Sequence, residues 1–254
     1  MNNKIYLLLL LLFSISSCIQ KKQLLYMQDI QHDPPGTYTV PEFKYRLQKG
    51  DILYVKINTL DQAYQSMFED DRLSQQRYTT TTEAQLYLTG YTVDKNGQIE
   101  LPVLGSIQVE NKTTEEARVS VQEKLDNFFK EARAEVKLVN YKITVVGEVS
   151  RPGVFINYRN QVTVFDAIAQ AGDITEFGDR TNVLVLRPEE SGAKSFRMDL
   201  TSVTALNSEG FFLLPNDMVF VEPISTKVFR LNTPTLTFAF SALSTLLLII
   251  NFLN

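Results

Sequence analysis

GYTVDKNGQIELPVLGSI, Gly90 to Ile107, is the stretch on which the reading of this chain turns. Tyr91 and Val93 alternate with polar neighbours, Asp94-Lys95-Asn96-Gly97 supplies a turn, and Ile99, Leu101 and Val103 resume the alternation. The pattern predicts two short strands around a tight turn. Asn96 and Gly97 tolerate the positive φ that such a turn needs. Pro102 lacks a ladder donor, so the second strand lies at an edge or stops there. A capped amphipathic helix follows: Thr113 and Glu116 fit a capping box, and Ala117, Val121, Leu125 and Phe128 share one face. On physics alone this is a small α+β module.

Upstream, Tyr45, Leu47, Gly50, Asp51 and Leu53 form a second ordered set. Gly50 and Asp51 read as a turn, the glycine supplying a backbone conformation other residues dislike and the aspartate a hydrogen bond; Ile52–Ile57 reads as the strand after it. Taken in order with Gly90, Tyr91, Val93, Gly97, Ile99, Pro102 and Gly105, this pattern resembles the signature of the outer-membrane polysaccharide export family, translocons for capsular and exopolysaccharide chains. The resemblance implies a structural role for Tyr45, Leu47, Gly50, Asp51, Gly90, Tyr91, Gly97, Pro102 and Gly105.

At the amino terminus, one positive charge (Lys4), an apolar run from Ile5 to Phe13 and the small residues Ser14, Ser16 and Ser17 precede Cys18. Residues 1–17 read as a signal peptide, the apolar run being well short of the roughly 20 residues of a spanning helix. Cys18 is the only cysteine of the 254 residues, so no intramolecular disulfide can form. Its position suggests a bacterial lipoprotein acylated at Cys18, although Ile15-Ser16-Ser17-Cys18 resembles the lipoprotein box imperfectly. The alternative is an incidental thiol. Several acyl chains, at roughly 0.8 kcal/mol per buried CH₂, anchor a protein stably. Ile19 follows, with no acidic residue to signal inner-membrane retention, which favours the outer membrane.

Net charge is −4, and loss of residues 1–17 removes only Lys4 among the charges. That acidic balance, without a basic cluster, argues against nucleic acid as a partner. Residues 18–41, with Pro34-Pro35-Gly36, read as a lipidated tether. His32, the only histidine, stands in it beside Asp29 and Asp33, a poor scaffold for a metal. Between the two signature sets, Leu60, Ala63, Tyr64, Met67 and Phe68 recur at helical spacing, Glu69-Asp70-Asp71 reads as a solvated helix end, and Thr79–Thr82 as a low-complexity connector. This insertion over 58–89 carries no legible function.

Val136–Val149 reads as one long strand, Arg151-Pro152-Gly153 as a turn, and Thr163 as the start of a helix. Val164, Ile168 and Ala171 form that helix's stripe and Gly172 stops it. Strands Val183–Arg187, Phe196–Asp199 and Met218–Val221 follow. Val145, Gly147, Glu148, Val149, Pro152 and Gly153, the helix, and Leu214-Pro215-Asn216-Asp217 resemble a soluble-ligand-binding β-grasp (SLBB) domain, giving Gly147, Pro152 and Gly153 structural roles. The best-known members of the export family carry two such domains; this chain has room for one. Glu148, Asp166 and Asp173 tempt as site acids, but read better as a solvent-facing residue and two servants of the helix and its exit.

No charged residue follows Leu231. Leu236–Leu253 is apolar enough to suggest a transmembrane helix of about 27 Å. Thr237, Ser241, Ser244, Thr245 and Asn251 fall within about a third of its circumference. A ring of such helices lines a pore with that stripe; a tail anchor packs it against another helix. The resemblance favours the pore, because characterised pores of the family close with C-terminal helices.

Nucleophilic triads would have to use His32 or Cys18, and CxxC, HExxH and phosphate-binding glycine loops are all missing from the sequence. No enzyme activity and no cofactor are expected. The expected architecture is therefore α+β: a polysaccharide export domain over 42–140, a β-grasp domain over 141–223, a linker over 224–235 and a helix over 236–253. The expected function is one subunit of an outer-membrane channel exporting capsular or exopolysaccharide, its body in the periplasm. Expected partners are the polymer, further copies in a homo-oligomeric ring, outer-membrane lipid and, from the resemblance, an inner-membrane co-polymerase or kinase. The rival readings are a monomeric tail-anchored periplasmic sugar-binding lipoprotein and, more weakly, a carbohydrate-active enzyme acting through two carboxylates.

Overall fold

The computed structural model describes residues 25–30, 36–38, 40, 43–59, 87–129, 131–189, 191–225, 227, 238, 240–246, 248–250 and 252. Cys18, His32, the insertion residues 60–86, Thr237 and Asn251 lie outside them. Two hydrophobic cores organise the described chain.

The first core is built on β1 (Ile52–Asn58), the middle strand of an antiparallel sheet with β2 (Tyr91–Thr92) on one side and β5 (Arg133–Leu138) on the other. Leu53 and Ile57 are buried, as are Ala134 and Val136 of β5. A hairpin, β3 (Gln98–Leu101) with β4 (Gly105–Gln108), adds Ile99, Leu101 and Ile107 to the same core. Helix α1 (Thr114–Asp126) closes it with Ala117, Val121 and Leu125. Its entry is fixed by the expected capping box: Thr113 Oγ1 accepts the Glu116 N–H and the Glu116 carboxylate accepts the Thr113 N–H. Gln122 reaches off the helix to the β5 edge, donating to the Ala132 carbonyl and accepting from the Ala134 N–H, both at 2.9 Å.

Three local expectations are corrected here. Tyr91–Val93 does not pair with Ile99–Val103 across the Asp94–Gly97 turn. The turn exists, with Asp94 Oδ1 accepting the Asn96 and Gln98 N–H groups, but Val93 exchanges backbone bonds with Gly50 and Asp51 and is drawn to β1 instead. The hairpin turns at Pro102–Leu104, so Val103 sits at its tip with φ 67° and 54% exposed. Phe128 lies past the end of α1 and is exposed, and Phe129 fills the core in its place.

The second core underlies a mixed five-stranded sheet ordered β7 (Gly153–Ile156), β6 (Lys142–Gly147), β10 (Met218–Pro223), β8 (Gly178–Glu189), β9 (Gly192–Met198). Two antiparallel hairpins, β6–β7 and β8–β9, flank a last strand that is parallel to β6 and antiparallel to β8. Helix α2 (Val164–Gln170) lies between the hairpins in sequence and packs Val164, Ala167 and Ile168 onto Ile143, Val145, Val185 and Val219. This is a β-grasp arrangement. Thr163 and Asp166 make its capping box, and Ala171 is buried before the stop at Gly172. Val136–Val149 is thus two strands, not one: β5 ends in the first sheet, Val139–Tyr141 crosses over, and β6 begins the second.

The tether also departs from expectation, since its residues 25–30 lie on the second domain. Met27 and Gln28 donate backbone N–H groups to the carbonyls of Leu200 and Thr201. In the C-terminal stretch, 240–246 and 248–250 are helical and exposed. Among the described residues no helix is long and apolar enough to cross a membrane, so a spanning helix over 236–253 gains no support there.

Gly147 ends β6 at φ 94°, where a Cβ would collide with the Val221 carbonyl oxygen of the central strand. Gly147→Ala therefore combines left-handed strain with a backbone clash. We expect it to lower unfolding free energy by about 3 kcal/mol or more, read as a reduced urea midpoint; a loss below about 1 kcal/mol would contradict this packing.

Candidate functional site

The described chain joins its two domains through contacts that start from Tyr45 of the sequence signature. Leu47 is fully buried and exchanges backbone bonds with the 111–112 turn, its N–H reaching the Lys112 carbonyl at 2.8 Å and its carbonyl accepting the Asn111 N–H at 2.9 Å. Gly50 donates to the Val93 carbonyl at 2.9 Å, and Val93 donates to the Asp51 carbonyl at 2.8 Å. The two signature sets are therefore one hydrogen-bonded unit.

Asp51 sits at its centre, 4% exposed, with Oδ2 accepting the Gln48 N–H and the Tyr45 hydroxyl, both at 2.8 Å. Burial raises its carboxyl above the ordinary carboxylate range, against the opposing pull of those hydrogen bonds. The same burial, with the negative field of Asp51, raises the Tyr45 phenol far out of reach of titration near neutrality. Asn140, on the crossover, donates to the Gly50 carbonyl and accepts the Ile52 N–H. Its neighbour Tyr141 stacks on Tyr45 at 6.4 Å and donates its hydroxyl to the Leu213 carbonyl of the second domain at 2.5 Å. A second link runs through Phe43, whose ring stacks on Phe212 at 5.3 Å and whose carbonyl accepts from Gln161. Tyr45, Asn140 and Tyr141 thus clamp the crossover from both sides.

Beside the clamp lies an open cleft of about 700 Å³ floored by Phe43, Leu138 and Tyr141, with Lys137, Tyr158 and Arg159 at its rim. Tyr158 is 79% exposed. Lys137 pairs with Glu135 and Arg159 faces Asp166, so the rim holds charge that is already matched. Among the described residues no group of three His, Cys, Asp or Glu side chains is placed to hold a metal ion.

The polysaccharide biosynthesis/export protein family model matches residues 40–139 and the SLBB domain model residues 142–199. The chain carries a polysaccharide export domain followed by an SLBB domain. It is 34% identical over 103 residues to the EPS I polysaccharide export outer membrane protein EpsA of Ralstonia nicotianae, a match covering 38% of this chain and 27% of that one. It is 29% identical over 140 residues to EpsA of Ralstonia solanacearum, covering 53% and 36%. The chain thus spans about a third of the length of these curated relatives.

Within the export domain, Gly90 bends the chain into β2, and Tyr91 packs partly buried on the core. Gly97 has φ 78° and its carbonyl accepts the N–H groups of Val109 and Glu110. A Cβ at Gly97 would collide with Glu110. Pro102 and Gly105 bracket the hairpin tip. In the SLBB domain Gly147 touches β10, while Pro152 and Gly153 carry the turn into β7. Asp166 caps α2 and Asp173, at φ 74°, follows its exit. Glu148 is not solvent-facing as expected: it pairs with Lys227 and accepts from Thr175, because the chain leaving β10 folds back over it.

Sequence reasoning passed over Asn140, Tyr141, Arg180 and Arg187. Arg187 makes a two-pronged pair with fully buried Asp217, 3.1 Å from Nε and 2.8 Å from the terminal nitrogen, while Asp217 also accepts the Leu214 N–H. Nothing in a single arginine 30 positions upstream signals that pairing.

The raised carboxyl of Asp51 sets a pH test. The folded chain holds this proton more tightly than the unfolded one, so its stabilising contribution is complete below its ordinary value of 3.8 and is lost as pH rises through the higher folded value. Against Asp51→Asn, the wild-type chain should lose relative stability as pH climbs past 3.8, measured by urea midpoints. A pH-independent difference would contradict the buried placement. Tyr45→Phe, which strips one donor from Asp51, should cost about 1–2 kcal/mol.

Proposed function

We propose that this chain is a subunit of an outer-membrane channel that carries capsular or exopolysaccharide from the periplasm to the cell surface. The observation that carries this reading is the ordered pair of export and SLBB domains, joined by the Tyr45–Asn140–Tyr141 clamp. A transport subunit needs fixed geometry rather than a reactive centre, and a clamp made of hydrogen bonds and a ring stack favours it. The named relatives, outer-membrane export proteins, support the location.

In this reading Cys18 carries the lipid and copies associate in a closed ring. The ring works with an inner-membrane co-polymerase or kinase, and the C-terminal helix inserts into the outer membrane. The surface of that helix suits insertion, because Phe238, Phe240, Leu243, Leu246, Leu248 and Ile249 are exposed and such an apolar surface calls for lipid or a partner. The hydroxyls of Ser244 and Thr245 donate to the carbonyls of Phe240 and Ser241, one turn back, which satisfies them inside an apolar medium. With Ser241, Thr237 and Asn251 they form the stripe proposed to face the lumen. No catalytic role is proposed.

Extraction from outer membranes in mild detergent should yield a particle many times the 28.9 kDa chain mass. Deleting Leu236–Asn254 should leave folded periplasmic domains and trap polymer in the periplasm. A stable monomer that binds a short oligosaccharide saturably would overturn the channel reading in favour of a sugar-binding lipoprotein.

A further inference from the structure

Tyr158 leaves a large aromatic ring 79% exposed on a loop that is otherwise pinned. The pin is Asn157, 5% exposed, whose Oδ1 accepts the Arg159 N–H at 3.2 Å and whose Nδ2 donates to the Arg159 carbonyl at 2.8 Å. The Asn157 N–H is itself tied to the Tyr141 carbonyl at 2.7 Å. The phenol ring therefore stands on backbone that the fold has already ordered, so a ligand that stacks on it loses little to ordering the loop.

Grooves lie on both sides of that ring. One is the cleft of about 700 Å³ between the export and SLBB domains. The other, of about 470 Å³, is lined in part by Ala169 and Gln170 of α2. Tyr158 and Arg159 wall both of them. Either groove alone has the volume of a small-molecule site. Two that meet at one exposed ring make a track, a shape suited to a linear chain lying across it.

The lining selects the chemistry of that chain. Its charges are already matched: Lys137 pairs with Glu135 at 2.6 Å, Glu115 with Arg118 at 2.7 Å and Arg159 with Asp166 at 3.6 Å, while Lys44 stands in the field of Glu116. A charged ligand gains little from such pairs at an exposed rim. The groups left over are neutral. Among the described residues, the hydroxyls of Tyr158 and Thr114 and the amide of Asn160 make no hydrogen bond within the protein, and Gln161 uses only its amide N–H, on the Phe43 carbonyl. Flat apolar surface beside hydroxyls and amides complements a pyranose ring, which shows C–H groups on its faces and hydroxyls round its edge.

We propose that the two grooves, with Tyr158 between them, form a contact track for a run of uncharged pyranose units in a linear polysaccharide. This rests on the export function proposed above and says where on the chain the polymer touches. The contacts are shallow, as a transport path requires: a site on it must be favourable enough to enter and loose enough to leave.

The test is saturation-transfer difference NMR on the full chain in lipid nanodiscs, with cellohexaose and maltohexaose as neutral probes and hexagalacturonate as the acidic one. At least one neutral probe should receive transfer at its ring C–H protons, and the acidic probe markedly less. Salt raised from about 0.05 to about 0.5 M should change the neutral signal less than about twofold, because no net charge is engaged. Tyr158→Ala should lower it about fivefold, and Tyr158→Phe, which keeps the ring, should retain most of it. Ala169→Arg narrows the second groove and should weaken the hexasaccharide while leaving the matching disaccharide unchanged, because only the longer probe crosses both grooves. No transfer to either neutral probe, a stronger signal from hexagalacturonate, or a signal indifferent to Tyr158→Ala overturns the track. So does a smaller particle in Tyr158→Ala, which would give the ring to a neighbouring copy instead. Particle mass of the wild-type chain separates the two ideas: a discrete large particle without sugar transfer keeps the channel and removes the track, and a monomer with Tyr158-dependent transfer does the reverse.

Discussion

A buried residue must find partners for its N–H and C=O, and in this molecule that constraint falls on Leu47 and Asp51. These two residues lie in the first core on either side of the exposed turn Gln48–Gly50, and their donors and acceptors are met by Lys112, Asn111, Gln48 and Val93. Meeting them aligns two stretches of chain more than 40 residues apart. Asp51 is part of the same solution: its carboxylate satisfies the Gln48 N–H and receives the Tyr45 hydroxyl. Moving any one of these groups leaves another unpaired at a cost of about 1–3 kcal/mol.

From that unit the geometry passes to the second domain. Tyr45 is held by Asp51, Tyr141 stacks on Tyr45, and the Tyr141 hydroxyl reaches Leu213 on the far side. Asn140 ties the crossover to Gly50 and Ile52. The second domain has its own keystone in Asp217, whose burial raises its carboxyl even though Arg187 pulls the other way. Removing either partner of that pair strands a buried charge. Each domain thus centres on one buried aspartate, and Tyr45 and Tyr141 are stacked in the space between them.

Much of this was written in local pattern. The Thr113–Glu116 capping box and the helix start at Thr163 were legible because a cap and its N3 partner are three apart and act without the rest of the fold. The stripes Ala117–Val121–Leu125 and Val164–Ile168–Ala171 were legible from helical periodicity. The expected hairpin at Asp94–Gly97 failed for the opposite reason. Its turn chemistry was correct, but Val93 gained better partners in Gly50 and Asp51, and a local turn does not dictate which ladder its flanks join. Val136–Val149 was read as one strand because β-propensity runs on through a crossover that only Asn140 and Tyr141, by their contacts, interrupt.

By itself the sequence determined the α+β class, the two helices with their starts, the order of the two domains and the signature of the export domain. These depend on spacing along the chain, which sequence displays directly. Tertiary structure decided which strands pair, how Asp217 is neutralised, where the crossover is clamped and that Tyr26–Asp29 docks on the SLBB domain. Those are contacts between residues 30 to 170 positions apart. They are settled by which buried polar group finds which partner once the cores have closed.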